Sequence, residues 1–82
     1  MAGESTAGRV AVLVCRVVGG DPAVLDLTIR WSALGLDSLD LLELFVACEH
    51  EFAIAIPDEV LPHLRCGGDL VRLIEAEKTK RV

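Results

Sequence analysis

Apolar residues recur at helical spacing in three stretches of the chain, separated by connections that carry glycine and proline. In the first stretch Val10, Leu13, Val14 and Val17 fall on one side of a helical wheel. The run from Val10 to Val18 is also so rich in valine that propensity alone reads it as a buried strand. No second run with clear alternation exists to pair with it, and a lone strand leaves its backbone groups unsatisfied, so a helix is the preferred assignment. Ser5 or Thr6 supplies its N-cap, and Gly19-Gly20 with Pro22 beyond them stops it.

Between Gly19 and Asp37 the pattern is that of a long ordered connection. Leu25, Leu27, Ile29, Trp31 and Leu34 are available to dock it onto the helices, and Trp31, the only tryptophan, is the largest anchor and reads as core. A second helix runs from Ser38 to about Phe52. Asp37 is its N-cap, and Asp40 adds negative charge near the positive helix end. At 100° per residue Leu41, Leu44, Phe45, Cys48 and Phe52 share one side, which is the core side. Leu39, Leu42 and Val46 point elsewhere and form a second apolar strip bordered by Glu43, Glu49 and His50, a surface that a solitary small domain has little reason to expose. The strip reads as a docking face.

Phe52 to Pro57 looks strand-like but is short, and Pro57 opens a candidate helical turn, Asp58-Glu59-Val60-Leu61, whose length Pro62 limits. A last helix starts near Gly68 or Asp69, with Leu70, Leu73 and Ile74 as its apolar stripe and Lys78, Lys80 and Arg81 near its negative end. The expected fold is all-α: a small bundle of three main helices plus one short helix, with a long ordered loop between the first and second helices.

With 82 residues the chain reads as a single domain over 1–82, too small to enclose much of an active site. Apolar residues make up 52% of it, yet no uninterrupted apolar run reaches the length of a membrane span, and Met1-Ala2-Gly3-Glu4-Ser5 lacks the basic start and apolar core of a secretion signal. A cytoplasmic protein that does not enter the membrane is expected. Cys15, Cys48 and Cys66 are odd in number and widely spaced, and His50 and His63 have no partner at ligand spacing, so neither a disulfide framework nor a metal site is indicated. Net charge is −5, and its distribution adds more: from Trp31 to Leu64 there are seven acids and no lysine or arginine. That one-signed middle disfavours nucleic acid and attracts basic protein surfaces, although charge alone fits a merely solvated face equally well.

The candidate chemistry lies at Ser38, which the run Leu34-Gly35-Leu36-Asp37-Ser38-Leu39-Asp40 delivers, exposed, to the first turn of the second helix. A serine there suits a phosphodiester, because the free N–H groups and dipole of a helix N-terminus favour an anion. A serine hydrolase is the weakest alternative, since no histidine lies near Ser38 in sequence and there is no Gly-x-Ser-x-Gly elbow; no catalytic residue is assigned. A helical interaction module that carries nothing remains open.

The Leu-Gly-Leu-Asp-Ser-Leu run resembles the modification motif of acyl carrier proteins. The resemblance continues at matching distance through Glu43-Leu44, Glu49-His50-Glu51-Phe52 and Ile56-Pro57-Asp58-Glu59, and spans roughly residues 28–76. It implies a freestanding, monomeric carrier whose Ser38 receives 4′-phosphopantetheine from coenzyme A through a phosphopantetheinyl transferase. The arm's thiol then holds acyl groups as thioesters for polyketide or fatty acid biosynthesis. Implied partners are an acyltransferase or ligase and ketosynthase-type enzymes with basic surfaces, meeting a face built from Asp37, Leu39, Asp40, Leu42, Glu43, Val46 and Glu49. Asp37 before the serine favours an acyl over a peptidyl or aminoacyl carrier of a nonribosomal peptide pathway, without excluding amino acid cargo. The sequence departs from the family at Cys66-Gly67-Gly68, where a threonine often starts the last helix, at His50, which is frequently acidic, and in the apolar Ala53-Ile54-Ala55.

Overall fold

The computed structural model describes residues 5–79. Three α-helices carry the fold: α1 (Thr6–Val18), α2 (Ser38–Phe52) and α3 (Gly67–Thr79), with α1 packed against both of the others. Two short 3-10 helices lie in the connections, Trp31–Leu34 and Asp58–His63. Among the described residues there is no β-strand, only an isolated antiparallel bridge between Arg30 and Cys66. No described helix is long and apolar enough to cross a membrane.

The valine-rich first stretch is helical. The Ser5 hydroxyl accepts from the Gly8 N–H at 3.0 Å, and the Gly19 N–H closes the other end on the Cys15 carbonyl. Val10, Leu13 and Val14 are buried, and Val17 packs on the same core from a half-buried position. Two contacts fix how α1 lies in the bundle. Lys78 Nζ donates to Thr6 Oγ1 at 3.0 Å, joining the start of α1 to the end of α3. Arg9 binds Glu51 at 2.9 Å at the far end of α2 while its guanidinium lies 4.4 Å over the Phe52 ring. Lys80 and Arg81, expected near the end of α3, lie outside the described residues.

The long connection is ordered by its own turns and by docking. Asp21 and Asp26 each accept the N–H two residues on, from Ala23 and Thr28, and the Thr28 hydroxyl with its N–H holds the Asp26 carboxyl below the usual carboxylate range. Leu25, Leu27 and Leu34 pack against the core as expected, whereas Ile29 remains exposed. Trp31 is buried, as expected: its indole Nε1 donates to the Leu64 carbonyl at 2.7 Å, and its ring meets Phe45 edge-on at 6.2 Å.

Leu44, Phe45, Cys48 and Phe52 form the buried side of α2. Leu41 packs against that core as the wheel places it but is only half-buried, because the chain facing it leaves a hollow there. The segment after α2 is no strand. Ala53 turns the chain in the left-handed region at φ 54°, after which Ile54 and Ile56 bury alternate side chains and the Ile56 N–H donates to the Glu49 carboxylate at 2.7 Å. The short helix beyond is 3-10 and runs through Pro62 to His63, longer than expected, since so tight and brief a turn leaves the proline's missing donor little to disrupt.

Helix α3 starts one residue earlier than its first expected position, at Gly67, and its weak Cys66 cap is made good by neighbours. The Asp69 carboxylate reaches back to accept the Arg65 N–H at 2.9 Å and pairs with Arg72, while the Gly68 N–H donates to the Leu27 carbonyl at 2.8 Å. A Cβ on Gly67 would sit 2.6 Å from Leu27 Cδ2, so the glycine is what lets the loop close onto the helix start. The Arg65 N–H lowers the Asp69 pKa against the opposing cost of burial, helped by Arg72 and the Cys66 thiol.

Three outcomes test this packing. Phe45→Ala and Phe52→Ala should each lower the unfolding free energy by about 3–5 kcal/mol in denaturant melts, as buried aromatic truncations do. Trp31→Phe should cost about 1–3 kcal/mol by leaving the Leu64 carbonyl without its donor. Asp69 is ionised more readily in the folded chain than in the unfolded one, so its contribution is present above the unfolded carboxyl pKa and fades as pH falls through the folded one. Asp69→Asn should therefore flatten the acid limb of a stability-versus-pH curve.

Candidate functional site

Gly35, with φ 82°, ends the first 3-10 helix in a left-handed turn that a side chain would strain. The turn drops Leu36 into the core and brings Asp37 to the head of α2 in extended conformation. There the two aspartates bond reciprocally: the Asp40 N–H donates to Asp37 Oδ1 at 2.9 Å, and the Asp37 N–H donates to Asp40 Oδ2 at 3.1 Å. This is a capping box built from two aspartates, so Asp40 does more than add charge. Ser38 is the first residue inside the helix, exposed, and its hydroxyl takes no part in the box.

Two hollows meet at Ser38 and share Leu41 and Leu64. One is a cleft of about 510 Å³ between the Trp31 turn and the segment before α3, with Arg30, Arg65 and Asp37 as its charged lining. The other is a mostly apolar groove of about 350 Å³ lined by Leu42, Phe45, Leu61 and Pro62. Sequence analysis missed Arg30, Arg65, Leu61, Pro62 and Leu64 as surroundings of Ser38. Their only sequence signal is that Arg30 and Arg65 bound the stretch without cations; the Trp31 N–H bond to the Arg65 carbonyl at 3.0 Å is what brings those bounds together.

The proposed docking residues divide by what they touch. Leu39, Leu42 and Val46 are 72%, 60% and 43% exposed, an apolar strip on the solvent side of α2. Glu43 is exposed beside them. Glu49 is half-buried, with a carboxylate oxygen committed to the Ile56 N–H, so part of its role is internal. Among the described residues no group of three or more histidine, cysteine or acidic side chains could hold a metal ion. The Cys48 thiol on the core side of α2 is pushed up to about 12 by burial, with Glu51 and Glu49 adding to the effect.

The capping box has its own test. Asp37→Ala should destabilise the domain by about 0.5–2 kcal/mol, the usual cost of losing an N-cap, while Ser38→Ala should leave the melting curve within about 0.5 kcal/mol of wild type.

Comparison with known proteins matches the chain to a family. A family model described as the phosphopantetheine attachment site covers residues 8–74. The acyl carrier protein of Wolinella succinogenes is 51% identical over 45 residues, which is 55% of this chain and 59% of that protein. That of Caulobacter vibrioides is 52% identical over 46 residues, 56% of this chain and 58% of its own. The mitochondrial acyl carrier protein of Saccharomyces cerevisiae is 58% identical over 41 residues, 50% of this chain and 33% of its own length. The match thus spans less than two thirds of each of these relatives. With the attachment-site model extending from α1 well into α3, and Ser38 standing at the head of α2 inside it, this chain belongs to the acyl carrier protein family.

Proposed function

We propose that the protein carries acyl groups as thioesters on a 4′-phosphopantetheine arm attached through Ser38, in polyketide or fatty acid biosynthesis. The observation that carries this is the placement of Ser38: an exposed hydroxyl at the first position of α2, preceded by a satisfied cap and lying within the family match. The site fits the group. A phosphodiester there meets the free N–H end of a helix, and the two hollows leave room on either side for the arm to lie. The chain is a carrier and not a catalyst, and attachment falls to a phosphopantetheinyl transferase that uses coenzyme A and supplies the base for the serine proton. We infer a single domain acting as a cytoplasmic monomer.

Partner enzymes are the second half of the proposal. Leu39, Leu42 and Val46 supply a short-range apolar contact beside the arm. Glu43, with Asp37 and Asp40 at the head of α2 and Glu49 further along it, gives the helix a negative field that draws basic surfaces of an acyltransferase or ligase and of ketosynthase-type enzymes.

Intact mass after incubation with coenzyme A and a broad-specificity transferase should rise by one phosphopantetheine in wild type and not at all in Ser38→Ala. Addition to the mutant, or none to wild type with several competent transferases, would remove the carrier assignment. For the docking face, Leu42→Ala should weaken loading or elongation while leaving the thermal melt close to wild type, and Glu43→Lys should slow association most at low salt. Partner kinetics unchanged by both substitutions would move the face elsewhere.

A further inference from the structure

We propose that Arg30 and Arg65 form a two-guanidinium clamp for the phosphodiester of the arm, fixing the arm's base in the cleft beside Trp31 rather than in the apolar groove. The proposal rests on Ser38 being the attachment point. Both arginines line the same cleft as Ser38, although they stand far apart in sequence. They are brought together by main-chain contacts, the Trp31 N–H to the Arg65 carbonyl and the bridge from Arg30 to Cys66. The Asp69 carboxylate on the Arg65 N–H holds that backbone from the other side. Among the described residues neither guanidinium enters an ion pair, unlike those of Arg9 and Arg72, so both remain available to an anion.

The charge around Ser38 calls for such a partner. Esterified serine gains a negative phosphodiester next to Asp37 and two residues before Asp40, in a stretch that holds seven acids and no lysine or arginine. Repulsion from these carboxylates is opposed by the helix N-terminus and, in the cleft, by Arg30 and Arg65. Asp37, the one acid lining the cleft, has its Oδ1 accepting the Asp40 N–H. Guanidinium forks suit the tetrahedral oxygens of a phosphodiester, and the phosphorus is bonded directly to Ser38 Oγ, nearer the arginines than any cargo at the far end of the arm.

The test uses the isotope-labelled protein before and after arm addition, with intact mass verifying the arm. The Nε–H resonances of Arg30 and Arg65 should shift on addition while that of Arg16, on α1, stays in place. The arm's phosphorus resonance should differ between wild type and Arg30→Gln/Arg65→Gln and be unchanged in Arg16→Gln. Raising salt to about 1 M, where screening acts within about 3 Å, should shrink the difference. Glutamine keeps the backbone bonds at both positions, and the wild-type comparison decides even if the double variant does not fold. Arginine resonances that stay fixed in a protein whose mass shows the arm would overturn the clamp alone, as would movement of the Leu42 and Leu61 methyl signals, which line only the groove, in their place. A mass without the arm would overturn the carrier assignment and the clamp together.

Discussion

The indole N–H of Trp31 donating to the Leu64 carbonyl at 2.7 Å ties the site together. A buried donor and a buried acceptor satisfy each other in a place where neither could easily do without, so the bond fixes position even though its net energy is modest. Through it the long loop after α1 is fastened to the segment before α3, and the same ring presses edge-on against Phe45 of α2. Three parts of the chain that share no helix are thereby set in one arrangement. Ser38 depends on it: Gly35, Leu36 and Asp37 run directly from the Trp31 turn, so the height and angle at which the serine emerges follow from where the indole is anchored.

What was legible in the sequence is what short-range physics determines. The span of α2, its aspartate cap, its buried and exposed faces and the stop of α1 at Gly19 follow from periodicity and capping within a few residues. Ser38 stood out because its flanking motif is local too. Contacts that close across the fold were not legible. No spacing rule joins Arg30 to Arg65, makes Leu64 a wall of both hollows, or leaves Ile29 in water while Leu27 docks. Leu41 is the instructive middle case: the wheel gives its direction correctly, but how far it is buried depends on what the facing chain does not fill. Gly67 is another, since its sequence reads as a weak helix start, while the structure spends the missing side chain on room for Leu27.

The acids of α2 serve two masters. Asp37 and Asp40 bond to each other's backbone, Glu49 holds Ile56 and Glu51 holds Arg9, so most of the charge that makes this helix negative also maintains the fold. Glu43 is the acid on that helix for which exposure is the main attribute. A surface arranged in this way projects a long-range field from side chains that are nonetheless held in place.

Cys48 has a meaning of its own under the proposed carrier function. A thioester passes to whichever thiolate reaches it, and transfer to a cysteine of the carrier itself would strand the cargo on a site no partner enzyme serves. With its pKa raised to about 12 and its side chain fully buried in the core, Cys48 offers almost no thiolate at neutral pH. The helix headed by Ser38 therefore offers no reactive thiol, because the same packing that holds the bundle together keeps its one cysteine inert.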